Sequence, residues 1–292
     1  MTDTAFLCPV CGSPSQRMIE GNVDDATFFS GEQHYLPAAG RARALFDVFV
    51  CGLCGHGFSP VRSPHLVAAW YERAPLDDVF LRDRKARIAM ADRLLSRLED
   101  LAHRRGKLLD VGSGPGFLLQ AAAARGWNAV GLEPSAAYES HARERLGMTT
   151  LHQPIEAWDR LMPAGFDAVT ALDVIEHLPD PRVLFRAARR ALAPGGFLAI
   201  TTPRFDSVLA RFGGRRWYCI FPAHLHYFTA ASLRLLAETE GWGIVAQRTF
   251  IRRLSVASLL RRAFGIETPR AFEKLSVPVP LGDALEVVFT RS

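Results

Sequence analysis

Lysine is almost missing from this chain. Of 35 basic residues only Lys85, Lys107 and Lys274 are lysines, and the rest are arginines. The net charge of +5 suits either a soluble basic protein or one with an anionic partner, such as a phosphorylated small molecule or nucleic acid, and does not choose between them. No apolar run reaches the ~20 residues of a membrane-spanning helix. The opening MTDTAFLCPV lacks a basic segment followed by an apolar one, so no secretory leader is expected and the expected compartment is the cytoplasm. No glycine loop ends in Gly-Lys-Ser or Gly-Lys-Thr, which argues against a triphosphate loop. Internal repeats and low-complexity segments are also missing. What remains is ordinary globular composition, 49% hydrophobic and 22% charged over 292 residues, enough to bury a core without disulfides.

Cysteine is scarce but concentrated. Four of the five fall in two knuckles, Cys8-Pro-Val-Cys11-Gly and Cys51-Gly-Leu-Cys54-Gly. Each pair aims two thiolates at one point, and two pairs complete the tetrahedral sulfur set that favours Zn²⁺. Gly12 and Gly55 stand where such knuckles need positive φ. The competing readings are a disulfide pair and a thioredoxin-like redox site. A reducing compartment argues against the first, and the lack of a strand–knuckle–helix arrangement against the second. Four sulfurs close the coordination shell, so the ion is expected to be structural; His34 and His56 are reserve ligands. Thr27-Phe28-Phe29 and Leu45–Val50 read as strands of a small ribbon. Cys219, left over, reads as a small buried hydrophobe.

Beyond Pro60, Pro64 and Pro75 the pattern changes. Helices are expected over 64–73 and 83–103, the second with Ile88, Ala91, Leu94, Leu95, Leu98 and Leu101 on one face. Strands over 107–111, 128–132, 149–152, 166–172 and 197–201 then alternate with helices over 117–125, 135–146 and 182–192. Such alternation predicts a parallel sheet covered on both faces. Gly126, Gly147 and Gly195-Gly196 stand at expected helix ends. A helix over 231–240 and strands over 243–250 and 284–290 finish the chain without a full crossover, so the last strand is expected to run antiparallel.

The most informative stretch is Leu108-Leu109-Asp110-Val111-Gly112-Ser113-Gly114-Pro115-Gly116-Phe117. A strand runs into a turn with glycine at alternate positions, and a helix starts at once. Glycine there permits unusual backbone angles and close approach of a ligand, and the helix start offers free N–H groups to a carboxylate. The dinucleotide pattern would want glycine at 117, where Phe117 stands. Glu133 lies 23 residues after Asp110 at the end of the next strand, placed to accept both hydroxyls of a ribose. With Asp110 beside it, the expected ligand carries a ribose and positive charge but no phosphate. S-adenosylmethionine meets that description.

These residues resemble class I S-adenosylmethionine-dependent methyltransferases over roughly 80–292. Asp110–Gly116 resembles the family's first motif, Glu133 the acid ending its second strand, Phe166–Pro181 its fourth-strand motif and Leu192–Leu198 the turn into its fifth strand. The resemblance implies a doubly wound, Rossmann-like α/β fold with a seven-stranded sheet and an antiparallel last strand, here behind a zinc-ribbon-like module. With the prolines near 60–75 as the boundary, the chain is expected to divide into a zinc module (1–62), a helical linker or lid (63–105) and a catalytic domain (106–292). The resemblance also implies that Asp110, Gly112, Ser113, Gly114, Gly116 and Phe117 hold the methionine part of the cofactor. Glu133 and Pro134 would meet its ribose, residues 152–155 its adenine, and Asp173 and Val174 its reactive end. Glu176-His177 resembles a signature of quinone O-methyltransferases, in which acidic residues here help bind a divalent ion; packing and capping is the other reading.

The stretch Trp217–Thr229 follows the fifth strand and is expected to lie over the methyl donor. His224 and His226 are its candidate bases, with one of the two expected to point inward. The stretch resembles that of zinc-bearing deoxysugar C-methyltransferases, in which a Glu-His pair stands; Ala223 replaces the glutamate. Arg215-Arg216, Arg252-Arg253 and Arg261-Arg262 are candidates for gripping phosphate or are simply solvated. The expected activity is methyl transfer to an oxygen or carbon of a small molecule, perhaps of sugar or natural-product type. Two alternatives stay open: an RNA methyltransferase that uses the zinc module and arginines for nucleic acid, and a scaffold that keeps the cofactor fold without turnover.

Overall fold

In the computed structural model residues 6–30, 46–103, 105–160, 164–257 and 275–291 are described. His34 and Arg261-Arg262 lie outside them. The two cysteine knuckles have the same backbone. Gly12 N–H donates to Cys8 O and Gly55 N–H to Cys51 O, at 2.9 and 3.1 Å. Both glycines sit at positive φ, 73° and 69°. Around the knuckles β1 (Ser15–Ile19) and β2 (Val48–Cys51) pair antiparallel, as do β2 and β3 (Gly57–Phe58), which follows the second knuckle. Thr27-Phe28-Phe29 departs from the expected strand and lies in the helix Asp25–Ser30. The reason is local. The Asp24 carboxylate accepts Thr27 N–H at 2.7 Å, an N-cap that outweighs β propensity. Phe29 then packs on Phe46 and Trp70.

The central strands are β4 (Lys107–Val111), β5 (Asn128–Glu133), β6 (Thr150–His152), β7 (Phe166–Leu172) and β8 (Leu192–Pro203). All pair in parallel in the order β8-β7-β4-β5-β6. Alternating side chains enter separate cores on the two faces. Leu108, Ala168 and Ala199 pack with Leu94, Leu95 and Leu98 of the helix Arg84–Ala102. Leu109, Val169 and Ile200 pack with Leu184 and Phe185 of the helix Arg182–Ala191. This two-residue period, buried on both sides, is what a covered parallel sheet requires.

After β8 the chain returns to the first sheet. Strand β9 (His226–Tyr227) pairs antiparallel with β3, so residues far apart in sequence complete the cysteine module. Then come β10 (Trp242–Thr249), the hairpin strands β11 (Arg252–Ser255) and β12 (Ser276–Val279), and β13 (Ala284–Arg291). Strand β13 runs antiparallel between β8 and β10, closing a seven-stranded sheet as expected. No helix among the described residues is long and apolar enough to cross a membrane.

Two local expectations need correction. The helix over 135–146 is α-helical only over Ala136–Ser140 and continues as a π-helix over His141–Arg145. Gly195-Gly196 does not cap a helix. The preceding helix ends at Ala191, Leu192 is already extended, and the glycines lie in a bulge between the Phe166↔Leu192 and Ala168↔Phe197 pairs.

Candidate active site

The order of the parallel strands reverses between β4 and β7, and an open α/β sheet binds its ligand outside the strand ends at such a point. Here the β4 end delivers the glycine turn and the β7 end delivers Asp173. The two turns touch: a Cβ on Gly112 would lie 2.6 Å from Val174 Cγ2. Gly112, Gly114 and Gly116 take φ of 65°, 53° and 85°, so this path is closed to ordinary side chains at all three positions.

Beneath the turn two carboxylates are buried. Asp110 Oδ1 accepts Thr170 Oγ1–H at 2.7 Å. Glu133 accepts Gly114 N–H at 2.7 Å and Ser135 N–H at 2.9 Å, which ties the second strand's end to the glycine turn. Neither carboxylate forms an ion pair among the described residues. Burial pushes Asp110 up to about 7, Thr170 opposing it and Glu133 adding to it. Burial likewise raises Glu133 to about 7 against its two N–H partners. Ser113 Oγ and Gln153 Oε1 are buried beside them without a hydrogen-bond partner. His152 Nε2 donates to Pro134 O at 2.8 Å, fixing the neighbouring turn. Together these groups make an acidic crevice with unfilled hydrogen-bonding capacity, suited to a cationic ligand.

Side chains not singled out in the sequence lie over this turn. Phe80, from the helix Asp78–Arg82, stacks on Phe117 at 6.3 Å between centroids and meets Tyr138 edge-on at 5.9 Å. The Arg87 guanidinium lies over the Phe80 ring, 3.3 Å from its centroid. Tyr138 OH accepts Asp77 N–H at 3.2 Å. The only signal was an aromatic residue between two helices in the linker.

Across the crevice Asp173 takes φ 54°, a strained conformation for a non-glycine residue, held by Thr201 O accepting its N–H at 2.9 Å. Arg252 of β11 grips both its oxygens, at 2.9 and 3.3 Å. Burial opposes the charge on Asp173, but Arg252 outweighs it and lowers the carboxyl below its ordinary value. Of the arginine pairs noted in the sequence, Arg252-Arg253 thus reaches the site through Arg252.

Three residues on, Glu176 is fully buried. Its Oε2 accepts Thr202 Oγ1–H at 3.0 Å, and Oε1 has no partner. His177 and His224 meet edge-on beside it, centroids 4.7 Å apart. The structure separates the two histidines singled out after the fifth strand. An unbroken strand would set residues 224 and 226 on one face, but a turn closes with His224 N–H on Phe221 O at 2.9 Å. His226 begins β9 and faces the cysteine module, its Nδ1 3.1 Å from His56 Nε2. Burial lowers His226 to about 4.

In the module Cys8, Cys11, Cys51 and Cys54 bring their sulfurs within 4.8 Å of one another, with no disulfide among them. Closest are Cys11 and Cys51 at 3.4 Å and Cys8 and Cys54 at 3.6 Å. Soft donors converging in fours fit a zinc ion.

A family model described as a methyltransferase domain matches residues 80–247. Over 102 residues the chain is 39% identical to a ubiquinone biosynthesis O-methyltransferase of Pseudomonas syringae pv. tomato, covering 33% of this chain and 44% of that protein. It is 36% identical over 116 residues to the enzyme of the same name from Sodalis glossinidius, covering 36% and 47%. The matched region thus spans less than half of these curated relatives. Among solved structures, the PH0226 protein from Pyrococcus horikoshii OT3 aligns at TM-score 0.51 and 17% identity, over 71% of this chain and 91% of that one, a likeness of fold.

Proposed function

Because the chain belongs to the methyltransferase-domain family, we propose that it transfers a methyl group from S-adenosylmethionine to an oxygen or carbon of a small molecule. The observation that carries this reading is the pair of buried, unpaired carboxylates, Asp110 and Glu133, around a turn of three positive-φ glycines. A ligand with an ammonium, a sulfonium and a ribose diol answers that arrangement, whereas a phosphate would meet two negative charges.

In this reading Asp110 and the turn Gly112-Ser113-Gly114-Pro115-Gly116-Phe117 hold the methionine part. Glu133 accepts from the ribose, with Pro134 beside it, and Gln153 Oε1 is available to the amino group of adenine. Asp173 and Val174 border the reactive end. The bound cofactor supplies an electrophilic methyl on sulfur. The protein's contribution is alignment, exclusion of water by Phe80 and its neighbours, and proton removal where the acceptor needs it. Proton removal falls to the group beyond Asp173, foremost His224 through Nε2, because its Nδ1–H is donated to Cys219 O. His226 was a second candidate; its contact with His56 supports a role in joining the module to the catalytic body. The O-methyltransferase relatives support oxygen as the acceptor. An anionic acceptor would draw on Arg252.

We read residues 1–62 as a zinc module with structural zinc on Cys8, Cys11, Cys51 and Cys54, residues 63–105 as a lid, and 106–292 as the catalytic domain. Unpaired thiols suit the cytoplasm. Calorimetric titration with S-adenosylhomocysteine tests the reading, with NAD and RNA as controls. Saturable binding of S-adenosylhomocysteine alone is expected. Binding of NAD in its place, or no binding by folded, zinc-loaded protein, overturns it.

A further inference from the structure

The segment between β8 and β9 has two different sides. Its inner side chains build the body: Ala210, Trp217, Cys219 and Ile220 are buried with Tyr227, and Leu209 packs against them. Its outer side chains have no such task. The helix Val208–Gly213 is capped by Ser207 Oγ, which accepts Ala210 N–H at 3.1 Å. With Leu209 and Ala210 turned inward, Val208 and Phe212, four residues apart, share the outer face. Phe212 is 90% exposed and Val208 68%. A phenylalanine left almost wholly in water forgoes the burial its ring would gain, so the ring calls for a partner.

Charge of one sign surrounds it. Arg211, Arg215 and Arg216 are exposed and form no ion pair among the described residues. The acid of this segment, Asp206, is already taken by Arg204 at 2.9 Å. The Arg215-Arg216 pair noted in the sequence therefore belongs to the surface. The patch also runs up to the wall of the candidate site. A Cβ on Gly213 would lie 3.1 Å from Trp217 Cβ, so the helix end abuts Trp217-Tyr218. Tyr218 is exposed along its ring and donates its hydroxyl to Asp283. Arg204 N–H donates to Asp283 O at 2.7 Å, which sets the turn of the exposed Leu281 alongside. One residue beyond Tyr218, Cys219 O holds His224 Nδ1 at 2.8 Å.

We propose that this face docks an acidic protein, through a helix or loop whose glutamates and aspartates surround an apolar centre. Aromatic rings and arginines around an apolar contact are the usual anchors of a protein interface. Three guanidiniums without carboxylate partners of their own select a partner that supplies them. The other occupants fit less well. Two copies of this chain meeting on this face about a two-fold axis would set arginine against arginine. A helix that lies in a membrane surface needs an apolar face much longer than six residues, and this one is packed onto the body along its inner side. A nucleic acid strand calls for successive stacking rings along a groove, whereas Val208 and Leu281 cannot stack. The docking does not rest on the methyl-transfer reading, although a partner seated here lies beside the segment that carries His224.

Fluorescence titration of the full chain with a labelled helical peptide, leucines at i and i+4 ringed by glutamates, tests this. Saturable binding that weakens as salt rises is expected, and the same peptide with lysines for glutamates should not bind. Phe212→Ala should weaken binding by about 10- to 30-fold. The double change Arg215→Glu, Arg216→Glu should abolish it. Both variants should melt close to the wild type, because all three positions are exposed. No binding by the wild type, or equal binding by both variants, overturns the proposal. So does tighter binding of phosphatidylglycerol vesicles or a single-stranded oligonucleotide than of the peptide, lost in Phe212→Ala, which would give the face to a lipid surface or a nucleic acid. A dimer in sedimentation that Phe212→Ala dissolves would give it to a second copy and overturn the proposal equally. Peptide binding by protein that takes no S-adenosylhomocysteine would instead sink the methyl-transfer reading and leave the docking surface standing.

Discussion

Glu133→Gln should separate affinity from stability in a way that a structural residue could not. In the empty protein Glu133 is buried, and a carboxyl held near 7 where 4.5 is ordinary costs the fold about 3 kcal/mol above pH 7. The amide removes that cost. It also turns an NH₂ toward one of the two N–H groups, Gly114 or Ser135, that the carboxylate now satisfies, which costs about 1–3 kcal/mol. These terms oppose each other, so unfolding in urea at pH 8 should change by no more than about 2 kcal/mol. Affinity has no such compensation. A ribose diol donating to a charged acceptor gains about 1.5–3 kcal/mol per hydrogen bond. Losing one should therefore weaken S-adenosylhomocysteine binding by roughly 10- to 150-fold. Paired calorimetric and denaturation measurements test both halves. An unchanged dissociation constant would refute the placement of the ribose. A large loss of stability with unaltered affinity would make Glu133 a strut between the two strand ends.

The remaining expectations concern pH, backbone, zinc and the Asp173 ion pair. Asp110, held near 7, binds a cation when ionised; cofactor affinity should therefore fall by up to about tenfold per pH unit below 7, and a flat profile from pH 6 to 8 would contradict its role. The sign for stability is opposite: the folded state holds this proton more tightly than the unfolded chain, so the empty protein should lose stability as pH rises from about 4 to 7. Gly112→Ala forces a side chain into positive φ and onto Val174, which should cost about 2–4 kcal/mol in urea unfolding and abolish cofactor binding. Arg252→Ala leaves a partly exposed Asp173 without its partner. We expect a loss of about 1–3 kcal/mol at pH 7 that shrinks only as the pH falls through the carboxyl's lowered folded-state value, below its ordinary 3.8. Zinc removal by chelation should lower the melting temperature of the whole chain in calorimetry; a separate, early transition would show that the module folds alone.

Why the glycine turn was legible and its surroundings were not follows from the range of each interaction. Asp110 through Phe117 announces itself because strand, positive-φ turn and helix start are contiguous, and each step is dictated by local backbone chemistry. Glu133 was reachable for the same reason, one strand further on. Arg252, by contrast, grips Asp173 from 79 positions further along the chain, and Tyr71 meets His177 at a separation of 106, so no periodicity could link them. The sequence showed two histidines after the fifth strand but not the turn at Phe221–His224 that sends one toward Glu176 and the other toward His56. The cysteine knuckles show the same limit at larger scale. Their spacing speaks for zinc, yet nothing local reveals that β9 completes their sheet, that Thr229 Oγ1–H donates to Cys54 O at 3.3 Å, or that Arg182 donates to Val10 O at 3.2 Å. The β9 pairing and the Thr229 bond clamp residues 226–229 from outside, the Arg182 bond ties the first knuckle to the catalytic body, and Leu225 N–H on Glu176 O at 2.8 Å ties the same segment to the turn after β7. His224 sits at the head of that clamped segment. The four sulfurs are therefore mechanically continuous with the site beside Asp173, and a zinc ion held by them would help fix where His224 stands.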